Sequence, residues 1–448
     1  MLMRNIKITK NPFLLFLPFL FFYVIFILAV QDNILWGDEN IYLSYADNLS
    51  HGFYSPAPPN VSLDVGPGYP VFLLPFVALH LPLIIIRLLN AILLYLSIVL
   101  LFEVLIKFVS FKRALIFSLF WGCYYNSLDF IALFYSETLS VFLVSALVFL
   151  VTKAFDSDTG IKRNKYLYFA GIIMGWLVLT KIIFGYVLLL MLIGSGSLWI
   201  INRKAVNYQK TLIILLIAFT TVIPYLTYTY HLTGRIFYWG TSGGSNLYWM
   251  STPYPNEYGS WFPNPNTHTD PIDSEVNKPI FEGGFLNLKN RTLYTRGYND
   301  SLKLHHGKDF EEIAEFKGVQ RDDAFKKLAF NNIKTHPAKY IENCISNVGR
   351  LLFNYPYSYT IQKPGTLIRF PLNGIVVVLM LFCIIPTLKN WKRIIFPVRF
   401  MLFFVSLYLG GSIFGTAEFR MFTVIVPILL FWVAFIIQKS IKLNTTGW

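Results

Sequence analysis

The stretch NPFLLFLPFLFFYVIFILAVQDNILWGDENIYLSYADNLSHG, residues 11–52, decides the fold class. Its first part, residues 11–30, carries no charge, and a helix of about 20 apolar residues is long enough to cross a bilayer. The run is longer and more aromatic than the core of a typical signal peptide, and no small-residue cleavage motif follows it. We therefore expect an uncleaved membrane span, followed closely by the acidic pair Asp38 and Glu39.

Similar apolar runs recur along the chain. The chain has 448 residues, of which 55% are hydrophobic and only 14% charged, unlike a disordered or an ordinary soluble protein. These features predict an all-α polytopic membrane protein with about ten transmembrane helices. The predicted spans are residues 11–30, 81–106, 114–133, 137–152, 167–180, 182–201, 211–230, 370–388, 396–415 and 419–437.

The placement of positive charge predicts the orientation in the membrane. A formal net charge of +14 could indicate a nucleic-acid partner, but almost half of the Lys and Arg residues lie in short clusters between apolar runs, which is the positive-inside pattern. With these clusters in the cytoplasm, both termini are inside, and segments 31–80 and 231–369 are outside. We therefore expect membrane lipids, and no nucleic acid, as partners. The clusters are Arg4/Lys7/Lys10, Lys107/Lys112/Arg113, Lys153/Lys162/Arg163/Lys165, Arg203/Lys204/Lys210, Lys389/Lys392/Arg393 and Lys439/Lys442.

The two large outer segments differ in pattern. In the first, apolar residues between positions 41 and 49 have the spacing of an amphipathic helix, and the apolar stretch 69–80 is too short to cross a membrane. We therefore expect interfacial helices there. In the second, the first half is irregular and rich in Gly and Pro. The second half is helical in pattern, with a break at His336 and with Pro337 in the first turn of the next helix. The sequence predicts three parts. They are an N-terminal transmembrane module of residues 1–230 that includes the first outer loop 31–80, an outer loop domain of residues 231–369, and C-terminal transmembrane helices of residues 370–448.

Charged residues at the outer ends of separate spans are the candidates for chemistry, because a charge at membrane depth is energetically costly and often marks a functional site. Asp38 and Glu137 have a structural alternative as helix caps. The structural alternative for Lys181 is a snorkelling lysine, whose amine reaches the membrane interface. The structural alternative for Arg420 is a local ion pair with Glu418. Read together, acids without a metal motif indicate general-base chemistry, and cations at this depth indicate a lipid phosphate. The first outer segment has five acidic residues and no Lys or Arg, so an anion needs cations from elsewhere.

Histidine and cysteine predict no metal site and no disulfide framework. The histidines of the outer loop are scattered, and lone histidines are more often structural than ligands. The three cysteines lack the spacing of a zinc site or a disulfide framework. The histidines concerned are His231, His305, His306 and His336.

The order of motifs resembles a known family. WGDENIYLSYADNLSHG looks like its acidic motif after the first span, and EFRMFTVIVP looks like its Arg-containing last span. The family is the GT-C membrane glycosyltransferases, in the branch of protein O-mannosyltransferases and the bacterial lipid A aminoarabinose transferase. Between the two motifs lie GPGYPVFLLPFVAL with IIIRLLNAIL, FYSETLSVFLVSALVFL with AGIIMGWLVLTK, and TSGGSNLYWMSTPYPNEYGSW with THPAKYI. Each motif alone is common, whereas their order over residues 11–437 is specific.

The resemblance implies an inverting transfer of a monosaccharide from a polyprenyl-phosphate donor, outside the plasma membrane of a bacterium. Asp38 would be the general base for an acceptor hydroxyl, with Glu39 organising the loop. Lys181 and Arg420 would hold the donor phosphate. Glu137 matches the family's second acidic position and would bind substrate, orienting the acceptor or the donor. The acceptor would be a glycan, a lipid or a protein. No cofactor is assigned, although a divalent metal is compatible with the family.

Other functions compete with this one. A transporter or lipid-linked sugar flippase would favour internal repeats and mid-span charges, whereas here the charges collect at outer span ends. An O-antigen-ligase-like glycan transferase would place its essential basic and His residues in the large outer loop. A non-catalytic scaffold would leave Asp38, Lys181 and Arg420 without a shared purpose. The glycosyltransferase is therefore the favoured hypothesis.

Overall fold

Helices make up the folded part of the chain. The computed structural model describes residues 11–30, 35, 37–156, 164–203, 205–267, 298–359 and 364–442. Within these ranges there are 17 α-helices and no strand, so the predicted all-α class is confirmed. The helices are α1 (Pro12–Val30), α2 (Glu39–Ser50), α3 (Gly68–Ala78), α4 (Leu83–Phe108), α5 (Phe111–Gly122), α6 (Tyr125–Ile131), α7 (Ser136–Asp156), α8 (Lys165–Thr180), α9 (Ile183–Ile201), α10 (Val206–Thr233), α11 (Gly243–Met250), α12 (Tyr298–Glu312), α13 (Gly318–Thr335), α14 (Pro337–Phe353), α15 (Pro364–Lys389), α16 (Phe396–Ile413) and α17 (Phe419–Lys442).

Eight of the described helices are long and apolar enough to cross a membrane, which makes the chain a multi-pass membrane protein. They are α1, α4, α7, α9, α10, α15, α16 and α17. The predicted span 167–180 corresponds to α8, which has only 16 residues. The predicted total of about ten spans therefore stays a prediction.

The predicted span 114–133 is divided into α5, with 12 residues, and α6, with 7. The chain turns at Cys123 and Tyr124, and polar residues follow the turn. The Tyr124 hydroxyl donates to Asn373 Oδ1 in α15, and Asn126 Nδ2 donates to the same oxygen at 2.7 Å. Buried polar groups need such partners, so the second half of this run is used for contacts with α15 rather than with lipid.

The interior of the bundle is formed by its most buried spans. Within the apolar stretch of each helix, 83% of α17 and 72% of α7 is buried, compared with 17% of α1. Helix α7 packs against α4, α8 and α17. The N-terminal ends of α7 and α17 therefore meet inside the bundle and not at its periphery.

The first outer segment packs tightly on the end of α8. Helices α2 and α3 pack together, and α3 also contacts α8. The Pro- and Gly-rich chain before α3 has a steric role: a Cβ at Gly66 would lie 2.1 Å from the Leu179 carbonyl oxygen, and one at Gly68 would lie 2.6 Å from the Thr180 nitrogen. Since glycine permits such close approach, the first outer segment lies directly beside Lys181.

The large outer segment has its own buried core. Aromatic and aliphatic side chains of α11, α12 and α13 form a cluster that is separate from the main core. The glycine-rich stretch 240–246 is attached to α13, because Gly244 N–H donates to Asp322 Oδ1 at 2.5 Å. The buried members are Tyr248, Trp249, Phe262, Tyr298, Leu302, Phe310, Ile313, Phe325 and Ala329. The predicted boundaries of a loop domain at 231 and 369 stay a prediction.

Helix α14 fastens the outer segment to the start of the last span. Asn347 Nδ2 donates to the carbonyl oxygens of Ser412 at 3.0 Å, Ile413 at 3.1 Å and Gly415 at 2.5 Å. Its Oδ1 accepts from Ala417 N–H at 2.9 Å. One buried asparagine therefore fixes the turn that leads into α17.

Candidate active site

Asp38 and Arg420 meet at the N-terminal ends of α2 and α17. Asp38 occupies the N-cap position of α2, but its side chain makes no capping hydrogen bond. Its Oδ2 instead accepts a hydrogen bond from Arg420 Nη1 at 2.6 Å, across 382 positions of sequence. The side chains are 33% and 21% exposed, so the pair is accessible from outside the bundle. Helix capping therefore does not explain the position of the Asp38 side chain.

Glu137 and Lys181 form a second, more deeply buried pair. Lys181 Nζ donates to Glu137 Oε1 at 2.8 Å, and the side chains are only 13% and 1% exposed, respectively. Arg420 Nε lies 3.8 Å from the same Glu137 oxygen and 2.9 Å from Glu418 Oε2. The snorkelling alternative for Lys181 is therefore excluded, because its amine is held in a buried ion pair. The local pair of Arg420 with Glu418 is one of several contacts that Arg420 makes with carboxylates. We call Asp38, Glu137, Lys181, Glu418 and Arg420 the charged cluster.

Glu39 has a different position from its neighbour Asp38. It is fully buried, and its Oε1 accepts a hydrogen bond from the backbone N–H of Phe134 at 2.9 Å. Residues one apart on a helix point about 100° away from each other, which explains why the two acids diverge. Glu39 thereby ties α2 to the connection that precedes Glu137.

Tyr42 lies one helical turn after Asp38 and was not singled out from the sequence. Its hydroxyl shares a hydrogen bond of 3.0 Å with Ser136 Oγ, and its ring packs edge-on against Tyr69. Burial, followed by the charges of Glu137 and Asp38, raises the pKa of Tyr42, so its hydroxyl stays protonated. The sequence signal that points to Tyr42 is its i, i+4 spacing from Asp38, because residues four apart are neighbours on a helix.

Gly37 and Tyr135 fix the backbone around Asp38. Gly37 has a positive φ of +54°, and a Cβ there would lie 2.5 Å from the Tyr135 hydroxyl oxygen. The Arg420 guanidinium carbon lies 5.5 Å from the centroid of the Tyr135 ring, a cation–π distance. A glycine is therefore needed immediately before the acid, since other residues are strained at this φ.

The charged cluster has hydrogen-bond donors left over for a ligand. Within the described ranges Lys181 donates one hydrogen bond, to Glu137, although an ammonium has three donors. In the described part of the chain Arg420 Nη2 makes no hydrogen bond. The cluster holds two cations and three carboxylates, so its formal charge is −1. Such a site can bind an anion through directed donors while a carboxylate accepts a proton.

The prediction that the loop histidines are scattered is wrong for two of them. His305 Nδ1 and His306 Nε2 each lie 2.9 Å from a carboxylate oxygen of Glu257, and the ligand atoms of all three lie within 4.8 Å of one another. The contacts join residues 48 and 49 positions apart. The intervening sequence has no periodic pattern, so no sequence signal pointed to this cluster.

Comparison with known proteins finds similarity in the fold alone. No family model and no curated protein sequence matches the chain. A crystal structure of ArnT from Cupriavidus metallidurans bound to undecaprenyl phosphate is 11% identical and has a TM-score of 0.41, with 97% of this chain and 79% of ArnT covered. In its fold, the chain is similar to ArnT.

An archaeal oligosaccharyltransferase has a similar degree of likeness to the chain. The oligosaccharyltransferase AglB from Archaeoglobus fulgidus, in complex with an inhibitory peptide and a dolichol-phosphate, is 11% identical, with a TM-score of 0.47 and 96% of this chain covered. Its apo form is 12% identical, with a TM-score of 0.49 and 99% of this chain covered. The chain spans about half the length of this oligosaccharyltransferase, 51% and 52% in the two structures.

Proposed function

We propose that this protein is an inverting glycosyltransferase that moves a monosaccharide from a polyprenyl-phosphate donor to an acceptor hydroxyl. The observation that carries the proposal is the convergence of Asp38, Glu137, Lys181 and Arg420 from four separate elements. Ionised groups at membrane depth are costly unless they serve each other or a ligand. A site with both a carboxylate and unused cationic donors fits a reaction that moves a proton and releases a phosphate.

The donor phosphate would bind between Lys181 and Arg420. Among the residues that the structure describes, two N–H groups of the lysine and the Nη2 of the arginine have no partner and are available for its oxygens. When the sugar departs, the phosphodiester becomes a phosphate monoester, and its negative charge grows. Fixed donors that strengthen as charge develops favour the transition state over the ground state. Lys181 and Arg420 thus stabilise the leaving group.

Asp38 would accept the proton of the acceptor hydroxyl. Arg420 holds Oδ2 at 2.6 Å, and this contact orients the carboxylate so that Oδ1 takes the proton. The acceptor oxygen forms a bond to the anomeric carbon on the face opposite the phosphate, while the bond from that carbon to the phosphate oxygen breaks. The configuration at the anomeric carbon inverts, and polyprenyl phosphate leaves with the electron pair.

The remaining acids would position these groups. Glu137 contacts both cations, at 2.8 Å from Lys181 and 3.8 Å from Arg420, so it sets their separation. Glu39 holds α2 through the backbone of Phe134 and fixes the direction in which Asp38 points. We assign both residues a positioning role.

The reaction would take place at the outer face of the plasma membrane of a bacterium. Basic clusters on the opposite side of the predicted spans support this orientation. The outer segment 231–369 packs against the turn before Arg420 through Asn347, which makes it the expected place for the glycan, lipid or protein acceptor.

A donor panel tests the proposal. The purified full-length chain is incubated with undecaprenyl-phosphate pentoses and hexoses and a cell-envelope extract as the source of acceptors, and free undecaprenyl phosphate is measured by mass spectrometry. We expect release from at least one donor and the opposite anomeric configuration in the product. Release from none would overturn the proposal, and a retained configuration would overturn the inverting step. Loss of transfer in His305→Ala and His306→Ala together with unchanged transfer in Asp38→Asn would favour an O-antigen-ligase-like enzyme.

A further inference from the structure

A group of buried polar side chains in the outer segment has no part in the proposed reaction. Glu257 lies at its centre, and both of its carboxylate oxygens are used. Oε1 contacts His305 Nδ1 at 2.9 Å and accepts from the Tyr359 hydroxyl at 2.7 Å. Oε2 contacts His306 Nε2 at 2.9 Å and also accepts a hydrogen bond from the Thr252 hydroxyl. Glu257 and His306 are almost completely buried.

The contacts of His306 determine which of its ring nitrogens carries a proton. The Tyr248 hydroxyl donates its proton to Asp309 Oδ2 at 2.6 Å. It therefore has only a lone pair to offer His306 Nδ1, which lies 2.7 Å away, and Nδ1 must be the donor. A neutral His306 then has its lone pair on Nε2, which faces the lone pairs of the Glu257 carboxylate. Two acceptors 2.9 Å apart need a positive charge between them.

From this geometry we propose that Glu257, His305 and His306 bind a divalent transition-metal ion of the Zn²⁺ class. Two imidazoles and one carboxylate are nitrogen and oxygen ligands of the kind that Zn²⁺ binds in proteins. Nitrogen ligands disfavour Mg²⁺ and Ca²⁺, which prefer oxygen. The chain from Asp309 through Tyr248 to His306 Nδ1 is the hydrogen-bonded support that fixes the tautomer of a metal-binding histidine.

The ligand atoms need only a small movement to accept the ion. Ligands at about 2.0–2.1 Å from a tetrahedral zinc lie roughly 3.4 Å apart. The 2.9 Å contacts would therefore open by about half an ångström, and the widest separation among the ligand atoms, at most 4.8 Å, would close by at most about 1.4 Å. The imidazole of His305 can present its Nδ1 lone pair with its proton on Nε2. Tyr254 holds this ring in a parallel stack with a centroid distance of 3.8 Å. The site is therefore largely formed before the ion binds.

Such an ion would fasten the segment around Glu257 to α12. The same segment is fixed to α14, since Asn343 Nδ2 donates to the Thr252 carbonyl oxygen at 3.0 Å, and Arg350 Nη2 donates to the Gly259 carbonyl oxygen at 3.1 Å. Helix α14 in turn holds the turn before α17. We infer a structural role in which the ion holds the outer segment together, independent of whether the charged cluster transfers a sugar.

Metal binding to the purified full-length chain tests the proposal. The chain is stripped with a chelator, dialysed and titrated with Zn²⁺ by calorimetry, and the bound metal is counted by mass spectrometry. We expect one Zn²⁺ per chain and a higher unfolding temperature when it binds, since an ion that binds only the folded state stabilises it. Binding of Mg²⁺ with equal affinity would overturn the metal class.

Three variants separate the site from adventitious binding. His306→Ala should lose the high-affinity Zn²⁺ and the temperature shift. Tyr248→Phe keeps the ring but removes the support of His306 Nδ1, and it should weaken Zn²⁺ binding by about 10–100-fold. His336→Ala, which changes an exposed histidine of the same segment, should bind as the wild type does. Equal binding by all three variants, or no binding by the wild type, would overturn the proposal and leave Glu257 as a hydrogen-bond partner of the two histidines.

Discussion

Glu137 and Lys181 show how a buried charge is tolerated at the residue scale. The carboxylate is 1% exposed and depends on the lysine at 2.8 Å. Removing one partner of a buried ion pair leaves an uncompensated charge and costs about 3–5 kcal/mol. A simple alanine variant therefore mixes a folding defect with a binding defect, and the two must be separated by the design of the experiment.

Lys181→Ala should raise the KM for the lipid donor by roughly 10–100-fold, the loss expected for a hydrogen bond to a charged group, with a smaller effect on the acceptor. The double variant Lys181→Ala with Glu137→Gln removes the unpaired carboxylate and serves as the stability control. Steady-state kinetics with each substrate varied in turn measure both effects. If donor and acceptor KM rise equally in the single and double variants, Lys181 does not bind the phosphate.

Gly37→Ala should lower kcat by roughly 10–100-fold, because small displacements of catalytic groups are costly. The new Cβ would lie 2.5 Å from the Tyr135 hydroxyl oxygen and displace Asp38. Gly52→Ala is the matched control: its φ is +87°, but no atom lies within 4 Å of a Cβ there. Both variants strain the backbone, so equal rates in the two would show that the contact with Tyr135 is unimportant.

Part of the candidate site could be predicted from single residues. Asp38, Glu137, Lys181 and Arg420 stand out because charge at span ends is unusual, and their roles stay a prediction. The ion pairs among them were not predictable, since pairing depends on how the spans are arranged. Gly37 and Tyr135 were missed because a close backbone approach leaves no pattern in sequence.

At the scale of elements, Asn347 shows how α14 holds the start of α17. Asn347→Ala would remove the amide nitrogen that donates to three carbonyl oxygens and the amide oxygen that accepts from Ala417 N–H. Each buried group left without a partner costs about 1–3 kcal/mol, so we expect a lower unfolding temperature and, because Arg420 follows this turn, a lower transfer rate. Asn331→Ala, at an exposed position of α13, is the control. Unchanged unfolding of Asn347→Ala would contradict this account of the turn.

Helices with strong periodicity or clear breaks were well predicted. Helix α2 covers the predicted amphipathic stretch, and α14 begins at Pro337, as expected of a proline in the first turn. The run 114–133 was predicted as one span because its apolar content is high. Its division depends on the contacts of Tyr124 and Asn126 with Asn373, which only the tertiary structure supplies.

At the scale of the whole molecule, the account requires one orientation in the membrane. Single cysteines are introduced in a chain whose three native cysteines have been replaced. Lys308→Cys, in the outer segment, should react with an impermeant thiol reagent added to intact cells, whereas Lys392→Cys, in a basic connection, should react only after permeabilisation. Both native side chains are exposed, so burial does not limit labelling. The reverse pattern would put the charged cluster on the cytoplasmic side.

Asp38→Asn measures the central claim, that this carboxylate takes the acceptor proton. Asparagine still offers an oxygen to Arg420 Nη1, so membrane insertion and donor binding should be unchanged. We expect kcat to fall by about 100- to 10,000-fold, the usual contribution of a general base. Asp47→Asn, an exposed acid on the same helix, should keep the wild-type rate. Wild-type turnover by Asp38→Asn in the lipid-linked sugar transfer assay would contradict the account.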